Sequence, residues 1–354
     1  MTKNYKVAVF GGDGIGPEVT REAFKVLDVV SEMGGFEIDR TDFPHGSEHY
    51  LATGELLPDE ILDQVRGMDA AYLGAIGDPR VEVGLVERAI IAGLRFNLDL
   101  FVNLRPIRLL SEKFCPLKGK GPDDIDFVVV RENTEDAYAG IGGILKKGTA
   151  QEVAMQQMVY TRHGVERVIR FAFELARKRN RQKKLMLVDK ANAIRAQDIW
   201  TRTFAEVGEE FPDIEQDHAY VDAACMWMIK NPESFDTVVT TNLFGDIITD
   251  LGAVLQGGMG VAASGNIHPG QVSMFESIHG SAPKYKGKNV SCPIAAIAAI
   301  QMMLDHLGEA GASARVEGAV ESVLQDKDVT SVSASSGIST DEWGDRVVEK
   351  IRSL

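Results

Sequence analysis

Positive charge is scarce in this chain. Its 354 residues carry 38 Lys and Arg against 52 Asp and Glu, a net charge of −14, and the pI is about 5.0. Nucleic-acid binding needs a basic face, so this balance argues against that class. An anionic small molecule would have to be met by a local cluster of Arg or Lys. Cysteine is scarce too. Cys115, Cys225 and Cys292 are scattered and odd in number, with no CxxC. That pattern speaks against a disulfide framework or a cysteine zinc site and fits a reducing compartment. No apolar run approaches the length of a membrane span, and no charged-then-apolar leader opens the chain. A cytoplasmic protein with no membrane partner is expected. Internal repeats and low-complexity tracts are also missing.

Hydrophobic residues make up 44% and charged residues 25%, which places the chain among soluble globular proteins. Its length exceeds one ordinary core, so two domains or one large α/β domain are expected. Lys6-Val7-Ala8-Val9-Phe10 reads as a strand, followed by Gly11-Gly12-Asp13-Gly14-Ile15-Gly16-Pro17-Glu18 and an amphipathic helix to about Met33. Strand, glycine turn and helix can cradle a phosphate. The spacing is not the GxGxxG of a Rossmann turn, however, and no GK[ST] follows, so a tight packing turn accounts for these glycines equally well. Further strands at Phe36, Asp69–Gly77, Asp126–Asn133, Lys184–Asp189 and Phe235–Thr241 alternate with helical stretches. Alternation of this kind indicates a largely parallel sheet, whose sites lie at the carboxyl ends of strands.

Candidate chemistry falls at those ends. Glu87–Leu98 reads as a helix with Arg95 on it. Arg105 precedes a proline in Asn103-Leu104-Arg105-Pro106, and Arg131 closes an apolar strand. Arg forks bind carboxylates bidentately, although surface pairing with acids is the plain alternative. Lys190 ends another strand. Beside a metal it would have a depressed pKa and could act as a base; otherwise it is an exposed lysine. Asp222 enters a helix, where an N-terminal role is equally ordinary. In Asn242-Leu243-Phe244-Gly245-Asp246-Ile247-Ile248-Thr249-Asp250, Asp246 and Asp250 share one helix face. Two like charges there repel unless a hard cation such as Mg²⁺ or Mn²⁺ lies between them; a solvated acidic face is the alternative. The stretch from Phe275 to Asn289 is rich in backbone donors, His and Lys, and suits an anionic ligand such as a pyrophosphate.

The glycine loop, Asn103-Leu104-Arg105-Pro106, Arg131-Glu132-Asn133-Thr134-Glu135, Val188-Asp189-Lys190-Ala191-Asn192, Asn242–Asp250 and His279-Gly280-Ser281-Ala282-Pro283 together resemble, in order and spacing, the motifs of the β-decarboxylating (isocitrate/isopropylmalate) dehydrogenase family. The resemblance covers essentially the whole chain. It implies an α/β, isopropylmalate dehydrogenase-like two-domain fold that is not Rossmann. Residues 1–101 and 257–354 would form the cofactor domain and 102–256 the dimerisation and substrate domain. An arm at about 139–162 would act as an intersubunit clasp. The homodimer would share its active sites, with Lys190 and Asp222 reaching in from the partner.

The resemblance also assigns roles. Asp222, Asp246 and Asp250 would hold Mg²⁺ or Mn²⁺. Lys190 would be the base for the substrate hydroxyl and Tyr138 the acid for the enolate carbon. Arg95, Arg105 and Arg131 would clamp carboxylates. Gly74, Ile76, His279, Gly280, Ser281, Ala282, Lys284, Tyr285 and Asn289 would meet the dinucleotide. Isocitrate enzymes have Ser and Asn where this chain has Ala89 and Ile91, and homoisocitrate enzymes have Arg at Ala92. Ile90, Ile91 and Leu94 instead offer an apolar wall, so 3-isopropylmalate, and hence leucine biosynthesis, is the expectation. The isocitrate/homoisocitrate type stays open as an alternative, as does a tartrate/malate type from the segment 95–145. A catalytically silent regulatory subunit would have lost site residues, and all are present. Lys284-Tyr285 replaces the Asp-Ile of typical isopropylmalate enzymes and favours a 2′-phosphate, hence NADP over NAD. Against that, residues 331–339 hold no Arg, and Cys292 stands where Asn is usual.

Overall fold

Short runs rich in Val, Ile, Phe and Ala, bounded by glycines and acids, form twelve strands among the described residues of the computed structural model, which are 2–354. They are β1 (Lys3–Gly12), β2 (Phe36–Phe43), β3 (Ala70–Ala75), β4 (Val102–Arg108), β5 (Asp126–Glu132), β6 (Gly142–Leu145), β7 (Val153–Gln156), β8 (Lys184–Asp189), β9 (Glu215–Tyr220), β10 (Thr237–Thr240), β11 (Ala263–Ile267) and β12 (Ser273–Ser277). The chain divides into two compact units. One comprises everything up to Leu100, with Arg105–Ile125 and Ala253–Leu354; the other comprises Phe101–Leu104 and Asp126–Gly252.

In the terminal unit the strands run in the order β2-β1-β3-β12-β11. Every pair is parallel except β11 with β12. The inner strands β3, β12 and β11 are buried on both faces, as in a parallel sheet covered on both sides, whereas the edge strand β2 is largely exposed. Alternation sends Ala71 and Leu73 of β3 into a cluster with Phe10, Leu62, Val65, Ile90 and Leu94. Tyr72, between them, points the other way and meets Phe24 edge-on at 5.1 Å. Phe24 lies on the helix Gly16–Gly34, which has Pro17 in its first turn and is capped by Gly35 in the left-handed region with φ 70°.

The middle unit holds β5-β10-β8-β9, all parallel. The helix Arg162–Arg179 packs on it, opened by a Thr161 side chain that accepts from the Gly164 N–H and closed by Asn180 in the left-handed region. The hairpin β6–β7 is exposed along its whole length and carries Ile144, Leu145, Val153 and Met155 outward.

Two expectations differ from what is found. Arg105–Ile125, expected in the middle domain, groups with the terminal unit. The reason lies in distant partners: the Arg108 N–H donates to Gln256 Oε1 at 2.9 Å, and its guanidinium pairs with Glu317 and Glu321. The expected continuous helix over Glu87–Leu98 is interrupted by a π-turn at Arg88–Ala92 between Leu85–Glu87 and Gly93–Asn97. Such turns insert one residue per bulge and re-aim side chains; here they include Ile90 and Ile91.

Candidate active site

In the middle unit, β10 lies against β5 with Thr240 opposite Arg131. The helix Asn242–Leu255 therefore begins beside Arg131, which is 2% exposed. Arg131 donates through Nε and one terminal nitrogen to Asn242 Oδ1 (3.1 and 2.7 Å) and through the other to Asp246 Oδ1 at 2.6 Å. A Cβ on Gly245 would overlap the side-chain carbons of Arg131, so the glycine is what lets the guanidinium lie along the helix. The Tyr138 hydroxyl donates to the other oxygen, Asp246 Oδ2, at 2.9 Å. Arg131 also stands 5.4 Å from the Tyr138 ring centroid. One carboxylate thus orders a guanidinium and a phenol. Asp250 is exposed one turn further on.

The turn between Arg131 and Tyr138 is built from buried carboxylates that local sequence patterns do not reveal. Glu132 accepts from the Thr134 N–H and hydroxyl (2.7 Å each) and from the Glu135 N–H at 2.9 Å. Burial outweighs these bonds and pushes its pKa up to about 7. Asp136 adopts φ 68° and is fully buried. It accepts from the Leu243 N–H at 3.0 Å and the Tyr160 hydroxyl at 2.9 Å, which ties the Tyr138 turn to the start of the Asp246 helix.

Lys190 follows β8 and Asp222 opens the helix Val221–Lys230 next to β9. They form an ion pair, and the Lys190 hydrogen bond holds the Asp222 carboxyl below its usual value. Among the described residues of one chain, Asp222, Asp246 and Asp250 do not converge as a three-carboxylate cluster.

In the terminal unit a cavity of about 120 Å³ is lined by Gly74, Ile76, Ile91, Arg95, Arg105, Glu276, His279 and Gly280, among others. Arg95 donates to Glu276 Oε1 at 2.8 Å, while its Nε, buried, has no partner. Asn266 donates to the same Glu276 oxygen at 2.7 Å. Burial raises the Glu276 carboxyl, but the charge of Arg95 and these bonds outweigh it and hold the group below the ordinary glutamate value. No motif in the sequence marks Glu276 as a site residue. The available signal was an acid inside the apolar strand Ser273–Ser277, a position that demands a cationic partner. His279 bonds the Gly280 carbonyl through Nδ1 at 3.0 Å and leaves a buried Nε2 without a partner. Burial lowers its pKa, so the ring is neutral at pH 7.

The glycine loop is a packing turn in this structure. The Asp13 N–H donates to Ala75 O (2.6 Å) and the Ile15 N–H to Ser281 O (2.9 Å), so these donors are spent on the protein. Gly14, at φ 58°, has no room for a Cβ against Ser281. Ser281 Oγ donates to the Gly77 carbonyl at 2.5 Å. Beyond Ala282, which takes φ 40°, Lys284 extends over the Tyr285 ring at 4.7 Å. The Asn289 side chain donates to Asp341 at 2.8 Å.

The family model described as isocitrate/isopropylmalate dehydrogenase matches residues 6–347. The chain belongs to that family. It is 48% identical over 353 residues to the 3-isopropylmalate dehydrogenase of Thermobifida fusca (strain YX), covering 99% of this chain and 98% of that one. It is 48% identical over 352 residues to the 3-isopropylmalate dehydrogenase of Corynebacterium glutamicum (strain R), covering 98% and 100%. Among solved structures, isocitrate dehydrogenase from Methylococcus capsulatus superposes with a TM-score of 0.89 at 36% identity, covering 98% of this chain and 99% of that one.

The donor sets of this family member fit the groups it would bind. The acids Asp246, Asp250 and Asp222 offer only carboxylate oxygens, the ligands hard divalent cations take. In the terminal unit the orphaned His279 Nε2 and Arg95 Nε are polar atoms that a polar ligand would satisfy.

Proposed function

We propose that this chain oxidatively decarboxylates (2R,3S)-3-isopropylmalate to 4-methyl-2-oxopentanoate in leucine biosynthesis, with Mg²⁺ or Mn²⁺ and a nicotinamide dinucleotide. The observation that carries the reading is the Asp246 carboxylate held at once by Arg131 and Tyr138. When bound, the cation supplies Lewis-acid polarisation of the substrate oxygen and the nicotinamide supplies the hydride acceptor. The cation falls to Asp246 and Asp250 with Asp222 of a second copy, and the dinucleotide to Gly74, Ile76, His279–Ala282, Lys284, Tyr285 and Asn289.

Within that frame Arg95, Arg105 and Arg131 hold the substrate carboxylates in reactive geometry. Lys190 of a second copy removes the hydroxyl proton. Tyr138, already oriented by Asp246, returns a proton to the enolate carbon left by loss of CO₂. Ile91 faces the cavity that Arg95 and Arg105 also line. An isopropyl group prefers that wall over a third carboxylate by about 1–3 kcal/mol, which favours isopropylmalate over isocitrate.

The homodimer reading is supported by outward-facing apolar side chains on the β6–β7 arm and by exposed Met226, Trp227, Ile247 and Val254 on the helices that carry Asp222 and Asp246. NADP is the cofactor preferred, on the exposed Lys284. No helix among the described residues is long and apolar enough to cross a membrane.

The direct test follows NAD(P)H absorbance with 3-isopropylmalate, isocitrate and tartrate, each with Mg²⁺ or Mn²⁺. Isopropylmalate should lead in kcat/KM by at least about tenfold. No turnover of any 2-hydroxy diacid with either cofactor would sink the proposal. Asp246→Asn should lower kcat/KM by about 10³-fold, since it removes charge at the reacting oxygen, while circular dichroism and hydrodynamic size stay those of the parent.

A further inference from the structure

His45 and Glu55 bracket the short helix Ser47–Thr53. His45 lies just before it and is 3% exposed, its ring near Phe10 and Phe43 at 6.4 and 6.3 Å between centroids. His49 is on the helix. Glu55 follows Gly54, whose φ of 76° turns the chain back. His45 Nε2 is 3.3 Å and His49 Nε2 3.1 Å from the same oxygen, Glu55 Oε1. One ligand atom from each residue lies within 4.8 Å of the other two.

Those separations are the edges of a metal site. Zinc bonds of about 2.0–2.1 Å to nitrogen and oxygen, arranged tetrahedrally, put neighbouring donor atoms about 3.3 Å apart. Two of the three edges already have that length. Both imidazoles turn a ring nitrogen toward one carboxylate oxygen, and the other nitrogen of the buried ring, His45 Nδ1, has no partner.

We propose that His45, His49 and Glu55 form a binding site for Zn²⁺, with a fourth position open to solvent. Two imidazoles and one carboxylate favour zinc over Mg²⁺ or Mn²⁺, whereas the aspartates of the middle unit have the opposite preference. Bound there, the ion joins both ends of the Ser47–Thr53 helix. Ser47 in turn donates its N–H (2.8 Å) and hydroxyl (2.7 Å) to Asp13, which also accepts from the Gly77 N–H at 2.8 Å. The site therefore fixes the 45–55 excursion against the loop that follows β3.

The test uses the full-length protein, stripped with a chelator and carrying Asp246→Asn to remove the acidic site's contribution. Zn²⁺ is titrated in competition with a chromogenic chelator, and Co²⁺ in parallel for its visible spectrum. The expected result is one Zn²⁺ per chain, four-coordinate Co²⁺ absorption, and a melting temperature raised by Zn²⁺. His49→Ala and Glu55→Gln, made separately in that background, should each weaken Zn²⁺ binding at least about tenfold and abolish the thermal shift. Both side chains reach solvent, so their metal-free melting temperatures should match the background's. Stoichiometry well below one, or background affinity kept by either variant, overturns the site.

Discussion

Glu132, at the end of β5, and Glu276, within β12, are both buried glutamates, 1% and 7% exposed, and their carboxyls move in opposite directions. Glu132 has only neutral donors, the backbone and hydroxyl of Thr134 and the backbone of Glu135. Burial wins and its pKa rises to about 7. Glu276 suffers the same burial, but the Arg95 guanidinium lies 2.8 Å away and Asn266 adds a bond, and its pKa falls. Desolvation sets the cost for both, and a full opposite charge reverses the outcome where neutral hydrogen bonds cannot. The difference marks their roles. Glu132 braces a turn that presents Arg131 and Tyr138, whereas Glu276 holds Arg95 at the wall of a cavity.

The comparison breaks most sharply at Glu276. Glu276→Gln leaves Arg95 without its counter-charge in a buried setting, and a broken buried pair of this kind costs about 3–5 kcal/mol. Urea denaturation at pH 7 should show that loss with an unchanged m-value; a change below about 1 kcal/mol would mean that Arg95 finds other solvation. Glu132 gives the next largest effect, and it depends on pH. Its folded pKa of about 7 lies above the ordinary 4.5, so between these values the folded state binds more protons than the unfolded one. This contribution to stability is full below about pH 4.5, declines as pH rises and is gone above about pH 7, a span of about 3 kcal/mol. Glu276 contributes in the opposite sense and loses its share only as the medium turns acid. Stability measured from pH 5 to 8 in the parent and in Glu132→Gln should show a falling component that the variant lacks. Identical slopes would place the Glu132 pKa near its ordinary value.

Much of this was legible in the sequence because it is local. The four-residue spacing of Asp246 and Asp250, Arg131 at a strand's carboxyl end and the alternation of strands with helices all follow from periods of two and 3.6. What stayed hidden depends on partners far along the chain. Glu276 and Arg95 are 181 residues apart, and nothing near Glu276 announces the guanidinium. Arg105–Ile125 takes its allegiance from Gln256 and Glu317, contacts that span 148 and 209 residues. The glycine loop was ambiguous for another reason. Its pattern serves a phosphate or a close backbone approach equally, and only the acceptors at Ala75 and Ser281 decide between them. The Arg88–Ala92 π-turn leaves no mark on the apolar pattern either, because one inserted residue shifts the face without changing composition.

Lys284 gives the smallest effect, because it is an exposed charge whose one neighbour of note is the Tyr285 ring at 4.7 Å. Unlike the two glutamates it carries no desolvation cost, and any contact it made to a 2′-phosphate would be shared with water and screened by salt. Lys284→Ala should therefore raise KM for NADP by about three- to tenfold, near 1 kcal/mol, and leave kcat and the KM for NAD within twofold, since the residue touches nothing that differs between ground and transition state. The NADP effect should shrink as ionic strength rises from 20 to 300 mM, as the Debye length contracts. An equal rise in KM for both cofactors would instead assign Lys284 to the pyrophosphate they share. An unchanged KM for NADP would return the preference to NAD, and with it the idea that the 284–285 pair is a surface feature of the loop.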